Sequence, residues 1–363
     1  MTTAAVTDTA TDTATDTALP RVGREVRLAS SPPPGTLAPT DFEIVETPLA
    51  EPAAGSVLVR NRYFLVFPGL RTLMDDPIDG VPLPAVRPGD ALFGPAIGEV
   101  VAAPEGNSLR PGDTVMHMLG WRDYVVVPAA DCKLVDDALP DPVADLAQGS
   151  AAFGAITRYA AIREGDVVFV SGAAGAVGTF AGQIARLSGA GRVIGSTGSP
   201  HKAERLVSEL GYDQVVLRGT GSGTGSFDEQ LAAAAPEGID VVLDTVGGDQ
   251  LVAALGLAKQ GARAVLVGAL SGQLAPRSGR SGRSVAPVEL DTFHLLVKGI
   301  SLFCYAGADH PDVEAEWIKR FGGWLRSGEV RFPHTLIEGF ERSPHALPDL
   351  IGGRCFGAAI VKV

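Results

Sequence analysis

The residues of this 363-residue chain best suited to chemistry form a glycine-rich turn, Ser171-Gly172-Ala173-Ala174-Gly175-Ala176-Val177-Gly178, directly after the apolar run Val167-Val168-Phe169-Val170. The pattern Ala173-x-Gly175-x-x-Gly178 matches the dinucleotide fingerprint, with alanine at its first glycine. Such a turn acts through absent side chains. Gly175 removes one where the backbone must approach a pyrophosphate, and Gly178 lets the next helix pack closely on the strand. The free N–H groups and positive end of that helix then face the phosphates. Val177, Ala181, Ile184 and Ala185 recur at helical spacing and predict the helix; Arg192-Val193-Ile194-Gly195-Ser196-Thr197 predicts the strand that completes the unit.

A second group of residues bears on which dinucleotide is held. An NAD site normally ends its second strand with Asp or Glu, bonded to the ribose 2′-hydroxyl about 20 residues past the fingerprint. Here that point is Thr197-Gly198-Ser199, without a carboxylate. Lys202 follows on the first turn of the next helix, where its ammonium and the Ser199 hydroxyl can both reach a 2′-phosphate. Arg218, at the end of the next strand, adds a second cation. The expected cofactor is NADPH.

Positioning these residues takes a particular scaffold. After Thr197 the pattern alternates through a helix at about 200–210, strand 214–217, helix 227–235, strand 239–244, helix 249–258 and strand 262–267. Ser199-Pro200 caps one helix, and Ser226-x-x-Glu229 is a capping box for another. Regular alternation means an α/β fold with a doubly wound parallel sheet, which Ile300 to Cys304 completes. From Val22 to about Pro140, short β-rich runs separated by Pro and Gly predict a strongly bent antiparallel barrel. The segment after Cys304 carries the amphipathic helix Val313 to Arg326 and strands at Thr335 and Ala359, and is expected to return to the barrel. The expected domains are 21–148 with 305–363, and 149–304 inserted between them; residues 1–20, with three Thr-Asp-Thr-Ala repeats, form a disordered tail.

Composition narrows the partners. A net charge of −12 argues against nucleic acid, and no apolar run approaches the ~18 residues of a membrane span. Three scattered cysteines, Cys132, Cys304 and Cys355, and no secretory pattern lead to the expectation of a cytoplasmic protein with neither a disulfide framework nor a zinc cluster. His117 and His294 are isolated. Ser271 to Pro287 reads as a mobile loop, in which Arg277, Arg280 and Arg283 are expected to form a solvated basic stretch, the alternative being a grip on an anionic substrate.

Taken together, Gly120-Trp121-Arg122-Asp123-Tyr124, Ala173 to Gly178 with Gly182-Gln183-Ile184-Ala185, Gly198-Ser199-x-x-Lys202, Asp244-Thr245-Val246-Gly247-Gly248, Gly268-Ala269-Leu270-Ser271 and Ile337-Glu338-Gly339-Phe340-Glu341 carry a resemblance. From about residue 40 onward the chain resembles the zinc-independent medium-chain dehydrogenase/reductases, in the branch of prostaglandin and leukotriene reductases and alkenal/one double-bond reductases. The resemblance implies a GroES-like barrel from both chain ends, an inserted Rossmann domain, NADPH in the cleft, no metal, and a homodimer. It implies that Thr157, Ala174, Gly175, Ala176, Val177, Gly178, Ser199, Lys202, Arg218, Thr245, Gly268, Ala269, Leu270, Ser271 and Phe303 line the cofactor, with Cys355 where relatives carry asparagine. The implied chemistry is hydride delivery to the β-carbon of an enone, enoyl or quinone-like substrate, in a role such as polyketide tailoring. Alternatives are a quinone oxidoreductase and a non-catalytic NADPH-binding protein. Relatives offer two tyrosines to the developing enolate; this chain has Gly69 and Gln273 there, leaving the cofactor ribose hydroxyl, aided by Tyr63 or Gln273, as the candidate donors.

Overall fold

A computed structural model describes residues 19–33, 36–74, 83–136, 138–219, 225–274 and 287–363. The expected tail, apart from Leu19 and Pro20, and the three loop arginines lie outside them. The β-rich first part forms β1 (Val22–Leu28), β2 (Phe42–Pro48), β3 (Ser56–Val66), β4 (Ala96–Ala102), β5 (Thr114–His117), β6 (Tyr124–Pro128) and β7 (Lys133–Leu134), with helix α1 (Gly69–Leu73) after β3. Strands β1 and β2 pair with each other, antiparallel. The alternation of β3 decides the layers. Phe64 and Val66 point into a barrel core with Val26, Leu28 and Trp121, whereas Tyr63 and Leu65 belong to a second cluster with Ile97, Ile360 and the fingerprint residue Ala176. Tyr63 therefore stands on the face toward the dinucleotide unit.

The alternating part builds helices α2 (Gly149–Ala155), α3 (Gly178–Leu187), α4 (Pro200–Leu210), α5 (Phe227–Ala234), α6 (Gly248–Gly256), α7 (Leu270–Leu274) and α8 (Thr292–Lys298) around strands β8 (Val167–Val170), β9 (Arg192–Thr197), β10 (Gln214–Leu217), β11 (Ile239–Asp244), β12 (Ala258–Leu266) and β13 (Ser301–Cys304). These six strands are parallel, in the order β10-β9-β8-β11-β12-β13. All four residues of β8 are buried, as a central strand covered on both faces requires. The caps form as expected: Ser199 accepts from the Lys202 amide, and Ser226 and Glu229 close a reciprocal box. Strand β12 begins earlier than expected, at Ala258, after a register irregularity beside Ile239.

The return to the barrel comes later than the sequence predicts. Helix α9 (Pro311–Ser327) packs Trp317 and Phe321 against Phe153 of α2 and Phe180 of α3, with the Phe180 ring 5.4 Å from Trp317 and 5.3 Å from Phe321. Its apolar stripe is thus buried against the Rossmann layer, where Gly149 leaves no room for a Cβ beneath Trp317. Beyond it, β14 (His334–Glu338), α10 (Ser343–Ile351) and β15 (Ala358–Lys362) rejoin the barrel, whose sheet runs β14-β15-β3-β4-β5-β7 with β6 on β3. All of its pairings are antiparallel except β14 with β15. Among the described residues no helix is long and apolar enough to cross a membrane.

His117 shows how the barrel satisfies a buried polar group. Its Nδ1 accepts from the Leu119 amide at 3.1 Å, so the proton sits on Nε2 and is donated to Asn61 Oδ1 at 2.9 Å. Asn61 in turn donates to the carbonyls of Leu119 and Arg122, tying down the turn that carries Trp121 at a φ of 63°. Burial, reinforced by the Arg122 charge, lowers the imidazole pKa to about 4. The neutral form is native, so the unfolded chain binds the extra proton below its ordinary pKa near 6.5. Stability held above that pH is lost progressively as pH falls toward 4. Chemical unfolding is expected to show a fall of about 2 kcal/mol between pH 7 and pH 5 from this group, and His117→Gln to flatten that part of the profile.

Candidate dinucleotide site

The site begins where β9, β8 and β11 end side by side. Ser171, just past β8, donates from Oγ to Asp244 Oδ1 at 2.5 Å and accepts from the amides of Thr245 at 2.8 Å and Val246 at 3.2 Å. The Thr245 hydroxyl donates to the Ser171 carbonyl, and Asp244 Oδ2 accepts from the Gly247 amide. On the other flank Ser196 Oγ accepts from the Gly172 amide and donates to Gln250 Oε1. Asp244 is fully buried; burial raises its pKa, opposed by the bonds from Ser171, Gly247 and Val246. Three strand ends are thus joined by side chains that consume one another's polar groups.

What remains unbonded is the fingerprint itself. Among the described residues the amides of Ala174, Val177 and Gly178 have no protein acceptor, whereas the Ala176 amide faces the Gly357 carbonyl in a parallel bridge; the three stand at the start of α3. The two glycines differ in role. A Cβ on Gly178 would lie 2.5 Å from the Gly172 carbonyl oxygen and 2.6 Å from Ala173 Cα, so helix and turn pack in contact. A Cβ on Gly175 would meet only that carbonyl, at 3.3 Å, leaving the outer side open. Ala173, in place of the usual glycine, is tolerated because Gly195 faces it: a Cβ there would come within 2.7 Å of the alanine methyl. Tyr212 supports the helix from behind, donating to the Gly178 carbonyl at 2.6 Å.

The cations after β9 are arranged differently from each other. Lys202 is half-buried, and its ammonium donates to the carbonyls of Gly353, at 2.7 Å, and Cys355. Burial lowers its pKa. Arg218 is exposed, makes no side-chain hydrogen bond or ion pair among the described residues, and lies 3.6 Å from where a Gly198 Cβ would be. The free positive charge beside Ser199 is therefore the guanidinium. Cys355 is buried with its thiol pKa raised by burial, and belongs to a strap that walls the site. The Gly357 amide donates to the Ala174 carbonyl, Arg205 lies 4.0 Å over the Phe356 ring, and Gln183 of α3 exchanges two hydrogen bonds with the Arg331 backbone.

Toward the other edge, Thr245, Gly268, Ala269, Leu270 and Ser271 form the loops after β11 and β12, linked by the Ser271 amide to the Val246 carbonyl and the Leu270 amide to the Thr245 carbonyl. Helix α7, with the half-buried Gln273, packs on α1 of the barrel and joins the domains across the cleft. Two expected positions stand apart. Thr157 lies in a π turn that ends beside Ala161, whose carbonyl takes Arg263 at the starting end of the strands; its hydroxyl turns back to Phe153 at 2.8 Å. Phe303 stacks on Tyr159 with ring centroids 5.2 Å apart. The sequence reading missed Tyr159, Tyr305 and His310, which cluster where β12 and β13 end; the aromatic residue directly after the last strand was the available signal. Among the described residues no group of three or more His, Cys, Asp or Glu is placed to hold a metal.

Comparison with known proteins agrees with this architecture. The family pattern described as the N-terminal domain of oxidoreductase matches residues 24–135, and that described as zinc-binding dehydrogenase matches 176–321. YfmJ of Bacillus subtilis (strain 168), which carries the name of an NADP-dependent oxidoreductase, is 33% identical over 94% of this chain and 97% of its own. The NADPH-dependent curcumin reductase of Escherichia coli (strain K12) is 29% identical over 92% of this chain and 95% of its own. The crystal structure of CurA from Vibrio vulnificus in complex with NADPH superposes with a TM-score of 0.82 at 27% identity, covering 94% of this chain and 99% of that one. The fold and the site define a medium-chain dehydrogenase/reductase. Within that class the chain belongs to the zinc-independent branch.

Gly178→Ala is expected to leave the circular dichroism spectrum unchanged and to weaken NADPH binding at least about tenfold in a fluorescence titration, because the methyl separates helix from turn and displaces the free amides.

Proposed function

We propose that the protein is an NADPH-dependent reductase of activated carbon–carbon double bonds, acting on a small enone or enoyl compound. The observation that carries this reading is the set of three unbonded amides at the start of α3, with the Arg218 guanidinium, unpaired among the described residues, at the 2′-phosphate end. Relatives named for curcumin, prostaglandin and 2-alkenal reduction support it. When bound, NADPH supplies a hydride. The residues of this chain hold the pyrophosphate on the amides of Ala174, Val177 and Gly178 and the 2′-phosphate on Arg218 and the Ser199 hydroxyl. The loops at Thr245 and Gly268 to Ser271 support the reactive end. Gln273 on α7 and Tyr63 on the interdomain face are polar groups that α7 and β3 bring to the walls of the cleft. Oxidation of NADPH by a simple enone but not by benzoquinone is expected at the nicotinamide absorbance band; the reverse preference would mean a quinone oxidoreductase, and binding without turnover of either a non-catalytic role.

Arg218→Ala is expected to reduce the preference for NADPH over NADH by roughly ten- to hundredfold in kcat/KM, the value of one or two charge-assisted phosphate contacts. Lys202→Ala removes the anchor of the Gly353–Cys355 strap and is expected to lower the melting temperature as well.

The reading extends to a cytoplasmic homodimer. Among the described residues strand β13 is paired on one side only, and beside it Phe293, Leu296 and Val297 of α8 are 72%, 76% and 58% exposed. An apolar patch beside an open strand edge is what a second copy covers. Sedimentation of the double variant Phe293→Asp, Leu296→Asp is expected to give a monomer where the parent gives a dimer.

A further inference from the structure

The order of the strands fixes where the reactive half of a dinucleotide lies, so this inference rests on the NADPH reading. With the pyrophosphate at the end of β8 and the adenosine ribose toward β9 and β10, the other half runs over the ends of β11 and β12. There Val267, the first residue past β12, and Tyr305, the first past β13, border a cavity of about 240 Å3 with Ser150, Ala151 and His310.

His310 is held in place from two sides. Its ring stacks on Tyr305, with centroids 5.4 Å apart and planes within 4°, and its Nε2 lies 3.1 Å from Tyr159 Oη. The phenol is the stronger donor of that pair, so Nε2 accepts and the imidazole proton resides on Nδ1. Among the described residues Nδ1 has no protein partner. The other polar groups of the cavity suit an oxygen less well. The Tyr305 hydroxyl is spent against α2, only 2.1 Å from where a Gly154 Cβ would be, and Glu314 carries the wrong charge.

We propose that His310 is a catalytic residue: its Nδ1–H donates to the carbonyl oxygen of an α,β-unsaturated ketone or aldehyde in this cavity and stabilises the charge that collects there. Hydride addition at the β-carbon shifts the C=C pair into the bond between Cα and the carbonyl carbon and the carbonyl π pair onto oxygen. NADPH is oxidised to NADP+, and a proton from water at Cα completes the saturated carbonyl. A fixed donor on the wall of this cavity serves in place of the tyrosines replaced here by Gly69 and Gln273.

The first test needs no nicotinamide. 4-Nitrophenolate, a flat conjugated oxyanion that stands in for the enolate, is titrated into the protein and followed by its visible absorbance. His310→Ala is expected to weaken its binding at least tenfold at an unchanged melting temperature. With 3-penten-2-one as substrate, the same variant is expected to lose about a hundredfold in kcat, to keep its KM for NADPH within twofold, and to show a larger isotope effect with C4-deuterated NADPH. Equal phenolate affinity in both proteins, or a kcat within threefold of the parent, overturns the assignment. NADPH binding to the parent is measured separately by fluorescence: its absence would overturn the cofactor reading, while the phenolate titration still decides the part played by His310.

Discussion

The whole site depends on how the polar groups at the ends of β9, β8 and β11 are satisfied. In a sheet buried on both faces, every amide that emerges past the last residue of a strand needs an acceptor. Ser171 and Asp244 supply it on one flank and Ser196 with Gln250 on the other. All of these groups are buried, where each hydrogen bond is stronger and each unmet one more costly than in water. Because the loops bond to one another through side chains, they do not turn to the fingerprint amides, which stay free for an anion. Asp244 illustrates the balance: desolvation works against its charge, and donors from two chain segments compensate.

The second wall of the site comes from the far end of the sequence. The strap from Gly353 to Gly357 is bonded to the dinucleotide unit through Lys202 and the Ala174 carbonyl, and Gln183 repeats the link at Arg331. Gly357, at a φ of 72°, is compelled to be glycine because a Cβ would sit 1.9 Å from the Pro333 carbonyl oxygen. The two cations near Ser199 therefore divide their duties: the lysine joins domains and the arginine faces solvent.

What could be read from the residues alone was what is local. The strand, turn and helix at Val167 to Leu187, the caps at Ser199 and Ser226, and the absence of a carboxylate after β9 are written in neighbouring positions, and the structure contains each of them. The helical position of Lys202 suits a phosphate ligand, but the carbonyls to which it donates lie some 150 positions later, beyond any local pattern. Helix α9 shows an apolar stripe in the sequence, but the stripe does not say which domain covers it, and Trp317 chose the space over Gly149. Of the cluster at the ends of β12 and β13, only Tyr305 had a local signal, its place directly after the last strand; Tyr159 and His310 are brought to it by the fold.

The pairing of β3 with β15 has a consequence for how the molecule is made. Val66 waits for Ala359 and Tyr63 for Lys362, so the barrel cannot close during synthesis until nearly all of the chain has emerged. The parallel sheet is complete once Cys304 has been added, and its strands make mostly short-range crossovers. The Rossmann unit can therefore assemble first and offer its own surface, through Ala174, Gln183 and Lys202, as the template on which the last strands find their register.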